Sequence, residues 1–271
     1  MRSKLSAAPY AIWTVIFIVI PTFLIFIFAF TDKNGNFTLS NLLAVGNYSN
    51  VFLRSIYLGA VATVICLLLG FPLAYIISKM APNKQGILIM LMMLPMWMNF
   101  LLRTYSWMTL LEYNGLINRF LGIFNIGPFD MINTQGAVVL GMVYNFLPYM
   151  ILPIYSAVTK LDTKVIEAAE DLGANKRQVF LRVILPLSTP GIISGVTMVF
   201  VPSVSTFIIS KMLGGGSNIL IGDLIDMQFL GNSYNPHMGS AISLVLMILI
   251  MICIGIMNQF SDENDEGSVM I

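Results

Sequence analysis

Residues 160–186 carry the densest polar chemistry in this 271-residue chain. The acids Glu167, Glu170 and Asp171 precede Gly173, and the bases Lys176, Arg177 and Arg182 follow it. Acids and bases grouped this way, beside Val165, Ile166, Ala168, Ala169 and Leu172 at helical spacing, perform no covalent chemistry. They make an amphipathic element that must lie against something, either lipid headgroups or another protein. A second set of acids, Asp32, Glu112, Asp130, Asp223 and Asp226, flanks apolar runs. It is either solvated loop charge or a vestibule that draws in cations. Catalytic constellations are missing. There is no GxxxxGK followed by Ser or Thr, no HExxH, no GxSxG and no CxxC. His237 is the one histidine and makes neither a triad nor a metal cage. The chain reads as non-enzymatic, without a cofactor or metal of its own.

The elements that position these residues follow from composition. Hydrophobic residues make up 57% of the chain and charged residues 10%, with a net charge of +1. That is too little charge to cover a soluble globule of this size, and no basic field points to nucleic acid. Two cysteines, Cys66 and Cys253, rule out a disulfide scaffold. The bilayer is therefore the solvent, and the expected fold is all-α and polytopic, in one domain over 1–271. Six apolar runs are each long enough for one crossing of about 20 residues. Spans are expected at about 8–30, 55–78, 86–111, 136–159, 187–210 and 238–260. The first is too long for a cleaved signal peptide. The third is expected to continue past Arg103, which then snorkels to the outer interface beside Tyr105 and Trp107.

Lys and Arg set the orientation. Arg2, Lys4, Lys79, Lys84, Lys160, Lys164, Lys176, Arg177 and Arg182 fall on one side, against Lys33, Arg54, Arg103, Arg119 and Lys211 on the other. The excess places both termini and residues 160–186 in the cytoplasm. Within that loop, Asp162 or Thr163 is expected to cap a first helix, and Gly173 to end it in the left-handed conformation. Asn175 with Gln178 reads as a capping box for a second helix, and Pro186 restarts the chain into the fifth span. Gly191 and Gly195 form a small-xxx-small pair that permits close helix approach.

Glu167-Ala168-Ala169, three residues, Gly173, nine residues and Val183-Ile184-Leu185-Pro186 resemble the EAA loop of ABC importer permeases. Val183 in place of Ile is the one departure from that pattern. The resemblance extends over nearly the whole chain and is strongest to the spermidine/putrescine permeases. It is carried by Gly46-Asn47-Tyr48, Pro95 to Tyr105, Leu161-Asp162, Pro190-Gly191-Ile192-Ile193 and the stretch Met212 to Gly222 with Gln228-Phe229.

The resemblance implies a type I importer permease in the bacterial inner membrane. A homologous second permease would complete the pore. A cytosolic ATPase dimer, holding ATP and Mg, would drive it, and an extracytoplasmic binding protein would deliver the substrate. Glu167, Ala168, Ala169, Asp171, Leu172, Gly173 and Pro186 would form the coupling element in the ATPase cleft. A polyamine pathway needs carboxylates and aromatic faces for ammonium groups. Candidates are Trp97, Asn99, Tyr105, Glu112, Tyr144, Asn145, Tyr149, Asp223 and Asp226. The aromatics also suit the interfacial belt. No acid lies mid-span, so deeper carboxylates would come from the second permease. Alternatives are a related permease for sulfate, iron, thiamine or a phosphonate, or a stand-alone secondary transporter. The latter needs an intramembrane charge relay or inverted repeats, and neither is found.

Overall fold

A computed structural model describes residues 8–216, 218–231 and 233–268. The helices are α1 (8–29), α2 (Ser40–Ser78), α3 (Pro82–Trp97), α4 (Phe100–Leu111), α5 (Leu116–Gly122), α6 (Gln135–Thr159), α7 (Thr163–Asp171), α8 (Lys176–Leu187), α9 (Thr189–Ser205), α10 (Ile208–Leu213), α11 (Ile221–Phe229) and α12 (Pro236–Ser268). No strand occurs among the described residues. Four helices, α1, α2, α6 and α12, are long and apolar enough to cross a membrane alone. Two bent pairs, α3 with α4–α5 and α8 with α9, bring the number to six if each pair is one crossing.

The centre is a three-helix packing of α2, α6 and α9, with Leu58, Met142, Met150, Ile154 and Val199 buried between them. Small residues set the spacing. A Cβ on Gly191 would stand 2.5 Å from Ala157 Cβ and 2.8 Å from Pro153 O, and one on Gly195 would stand 2.8 Å from Met150 Sδ. Backbone cannot yield as a side-chain tip does. Gly191→Val is therefore expected to force α6 and α9 apart at a cost of about 1–3 kcal/mol, read as a lower Tm of the purified protein. A second cluster, including Ala29, Val45, Phe52, Ile221 and Ile242, joins α1, the start of α2, α11 and α12. Over 9–29, α1 buries Ala29 alone, half-buries Ile25 against the same cluster and leaves most of its other apolar side chains exposed.

Three expectations need correction. The third apolar run is not one rod. The chain turns by 88° between α3 and α4. Pro95 lies in a 3-10 turn at Leu94–Trp97, and the Asn99 side chain accepts from Leu101 N–H at 2.9 Å to start α4 afresh. Arg103 does not snorkel. It is buried, and its Nη1 donates to Pro95 O at 3.0 Å. The Pro95 carbonyl already takes the Met98 N–H at 3.2 Å in the 3-10 turn, and Arg103 adds a second donor where α3 ends. Pro186 does not break the chain either. It lies inside α8 after a π-helical turn at Phe180–Ile184, and the 64° bend comes two residues later, at Ser188.

Candidate functional site

The loop after α6 is built by its caps. Asp162 accepts from Lys164 N–H at 3.0 Å and opens α7. At the other end Gly173 adopts φ +85°, with its N–H on Glu170 O at 2.9 Å and Ala174 N–H on Ala169 O at 3.1 Å. These are the paired bonds of a Schellman stop, which needs the left-handed residue. Asn175 and Gln178 then exchange capping-box bonds of 2.8 and 3.0 Å to open α8.

The α7–α8 unit is bound firmly on one side and open on the other. Val179 and Ile184 are buried. The Phe180 ring meets Phe71 edge-on at 5.5 Å and Tyr75 at 5.4 Å, which pins α8 to α2. Ile166 and Ala169 of α7 pack on the same core. The apolar stripe expected on one face of α7 therefore divides. Ile166 and Ala169 turn inward, while Val165, Ala168 and Leu172, spaced three and four apart, stay outside. Leu172 at the tip is 90% exposed, flanked by exposed Glu167, Glu170 and Asp171. The outward face of α7 thus ends in a bare leucine flanked by acids, at the turn that Gly173 closes.

The expected pathway residues fall in three places. Trp97 and Tyr105 are exposed on the α3–α4 elbow, where Asn99 serves as the cap of α4. Glu112, exposed, sits where α4 stops, and its carbonyl accepts from Gly115 N–H at 2.8 Å. On α6, Tyr144 meets Trp107 edge-on at 5.2 Å, with the Arg103 guanidinium 6.0 Å from the Tyr144 ring. These two rings border a mainly apolar groove of about 670 Å³ between α2 and α6, with Tyr57 on its other wall. Asn145 is 1% exposed and donates to Gly141 O at 2.8 Å, so it faces the bundle interior. Tyr149 lies beside Phe146, ring centres 6.5 Å apart. Asp223 and Asp226 share a separate cavity with Lys211, whose Nζ donates to Asp226 Oδ2 at 2.9 Å. Among the described residues no group of three or more potential metal ligands forms a site.

The family model described as the binding-protein-dependent transport system inner membrane component matches residues 1–263. The chain belongs to this family. The permease is 39% identical over 262 residues to the spermidine/putrescine transport system permease protein PotB of Haemophilus influenzae, covering 93% of this chain and 91% of that one. To PotB of Escherichia coli K12 it is 36% identical over 249 residues, covering 88% and 90%. Among solved structures it resembles a bacterial ABC transporter that imports alginate, with TM-score 0.78, 18% identity and coverage of 97% and 96%. It also resembles a bacterial alginate ABC transporter in complex with a pentasaccharide-bound periplasmic protein, with TM-score 0.76, 17% identity and coverage of 95% and 93%. At these identities the structural likeness speaks for the fold. The permease is thus a multi-pass inner-membrane protein.

Three residues of the permease were missed as site candidates by sequence reasoning. Trp107 read as belt, Arg103 as an interfacial anchor, and Lys211 as one more outer charge. Only the 88° elbow brings Arg103 and Trp107 to Tyr144, and only the turn between α10 and α11 brings Lys211 to Asp226. No local spacing rule links residues 15 or 41 positions apart. His237 is accounted for structurally: its Nδ1 lies 3.2 Å from Phe28 O, and its ring meets Phe28 edge-on.

Proposed function

We propose that this permease forms half of the translocation pathway of an ATP-driven polyamine importer and couples to a cytosolic ATPase through α7–α8. One observation carries the reading: relatives matched over nine-tenths of their length are spermidine/putrescine permeases, and the EAA loop they imply here is folded with an open apolar tip. In this reading both termini are cytoplasmic, the whole chain is one permease domain, and a homologous second permease completes the pore. ATP and Mg belong to the ATPase, and an extracytoplasmic protein delivers the substrate. Glu167, Ala168 and Leu172 enter the ATPase cleft, while Ala169, Gly173 and Pro186 hold the element rigid. ATPase closure pushes the tip, and Phe180, locked on Phe71 and Tyr75, passes the displacement into α2. The bend at Ser188 lets α9 follow at a different angle.

Tyr144 and Trp107 line the groove with aromatic rings of a kind that suits ammonium groups and methylenes, the Arg103 guanidinium already standing 6.0 Å from the Tyr144 ring. Tyr144→Ala and Trp107→Ala are each expected to slow spermidine uptake about 5–10-fold, from the loss of one partly desolvated cation–π partner. The amount of assembled complex is expected to stay constant. The reading as a whole is tested by purifying the tagged permease from cells that produce the full transporter. The ATPase, the second permease and spermidine-stimulated ATP hydrolysis in the presence of the binding protein are expected together. A permease that purifies without an ATPase refutes the reading.

A further inference from the structure

The cavity between α10 and α11 holds a carboxylate that the fold does not satisfy. It measures about 290 Å³ and is lined by Ser210, Lys211, Asn218, Asp223 and Asp226 among others. Asp223 is 7% exposed. Its Oδ2 accepts Leu220 N–H at 2.9 Å, which caps α11, while its Oδ1 is buried without a partner. Burial holds this carboxyl above the ordinary aspartate range, opposed by Ser210, the Leu220 N–H and Lys211. The Ser210 hydroxyl, which also faces this carboxyl, has one proton and donates it to Phe207 O at 3.0 Å, leaving Oδ1 at most a share of it. A buried acceptor left unmade is costly, so this oxygen calls for a donor from outside the fold.

Lys211 supplies the second clue. Its side chain is 66% exposed and that of Asp226 17%, so the ammonium reaches in from solvent while the acid belongs to the wall. A lysine side chain is a butylammonium, the same group as one end of an aliphatic diamine. We propose that this cavity is an ammonium site which the permease fills with its own lysine. Lys211 holds the place of a terminal substrate ammonium. An incoming polyamine displaces it, placing one ammonium on Asp226 and drawing another toward Asp223 Oδ1. Exposed ion pairs are weak and exchange readily. A site partly filled from within binds its ligand more weakly, by the fraction of time it stands open. Lys211 thereby selects for polycations: a monoamine displaces it for a single contact, whereas a diamine gains a second acid. The inference rests on the polyamine reading above.

The test is equilibrium binding of radiolabelled spermidine to the whole transporter in nanodiscs, without its binding protein. Lys211→Met is expected to tighten binding about 3–5-fold by removing the internal competitor. Asp226→Asn is expected to weaken it about 10-fold by removing a charged acceptor. Assembly is monitored by ATPase copurification, and Lys211→Gln serves if the methionine variant fails to assemble. An assembled neutral variant that binds spermidine no more tightly than wild type overturns the proposal and leaves the ion pair a structural latch. A wild-type complex that imports spermidine with its binding protein but binds none alone overturns it as well. A wild type that imports no polyamine under any condition refutes the functional reading first, and this site with it.

Discussion

Gly173→Pro is expected to abolish ATP-driven uptake, by about 100-fold or more, while leaving the membrane bundle folded. Proline fixes φ near −65°, and this position requires +85°. It also removes the N–H that bonds Glu170 O at 2.9 Å. Forcing the turn costs about 3 kcal/mol or more, roughly two factors of ten in the population of the native loop. The damage stays local, because nothing lies within 4 Å of where a Gly173 side chain would point. Gly173→Ala is the matched control. It keeps the N–H and the open space and bears the left-handed strain of about 1–2 kcal/mol, so uptake should fall but remain measurable. Uptake per assembled complex reads both. A proline variant that transports like wild type would mean that the turn does not need to be rigid.

Leu172→Asp is expected to separate docking from folding. The side chain is 90% exposed, so the isolated permease should keep its stability within about 0.5 kcal/mol. In the complex the same leucine would be buried. Losing a buried leucine removes about 1.5–3 kcal/mol, and an aspartate in its place adds a desolvation penalty. ATPase affinity should fall by at least about 10–100-fold, read as ATPase copurified per permease. Ile166→Asp provides the contrast. It places the acid on the inward face, against the bundle core, and should destabilise the permease itself. If Leu172→Asp copurifies the ATPase as well as wild type does, the tip is not the docking surface.

Legibility from sequence followed the range of the interactions involved. The α7–α8 turn could be read almost residue by residue, because its caps act over two to five positions: Asp162 on Lys164, Asn175 with Gln178, and Gly173 as the left-handed stop. The long apolar helices were legible for a similar reason, since a lipid-spanning helix satisfies its own backbone and advertises itself by length. What sequence reading missed were the bends. A run of apolar residues from 86 to 111 says nothing of the direction each half takes, and Pro95 marks a possible break without its angle. Burial of Arg103 depended on that angle. The division of the α7 stripe was equally hidden, because Ile166 and Leu172 are alike in hydrophobicity and differ in which one the bundle covers. The cavity acids were visible as acids, but their lysine partner came from another helix.

The most direct test of the polyamine-importer reading is ATP-driven uptake of radiolabelled spermidine into proteoliposomes. These hold the complete transporter and are supplied with the binding protein. Uptake that requires ATP in the ATPase compartment, saturates with spermidine and disappears in Glu167→Lys is the expected result. A complex that assembles and hydrolyses ATP yet moves no spermidine or putrescine would contradict the polyamine assignment.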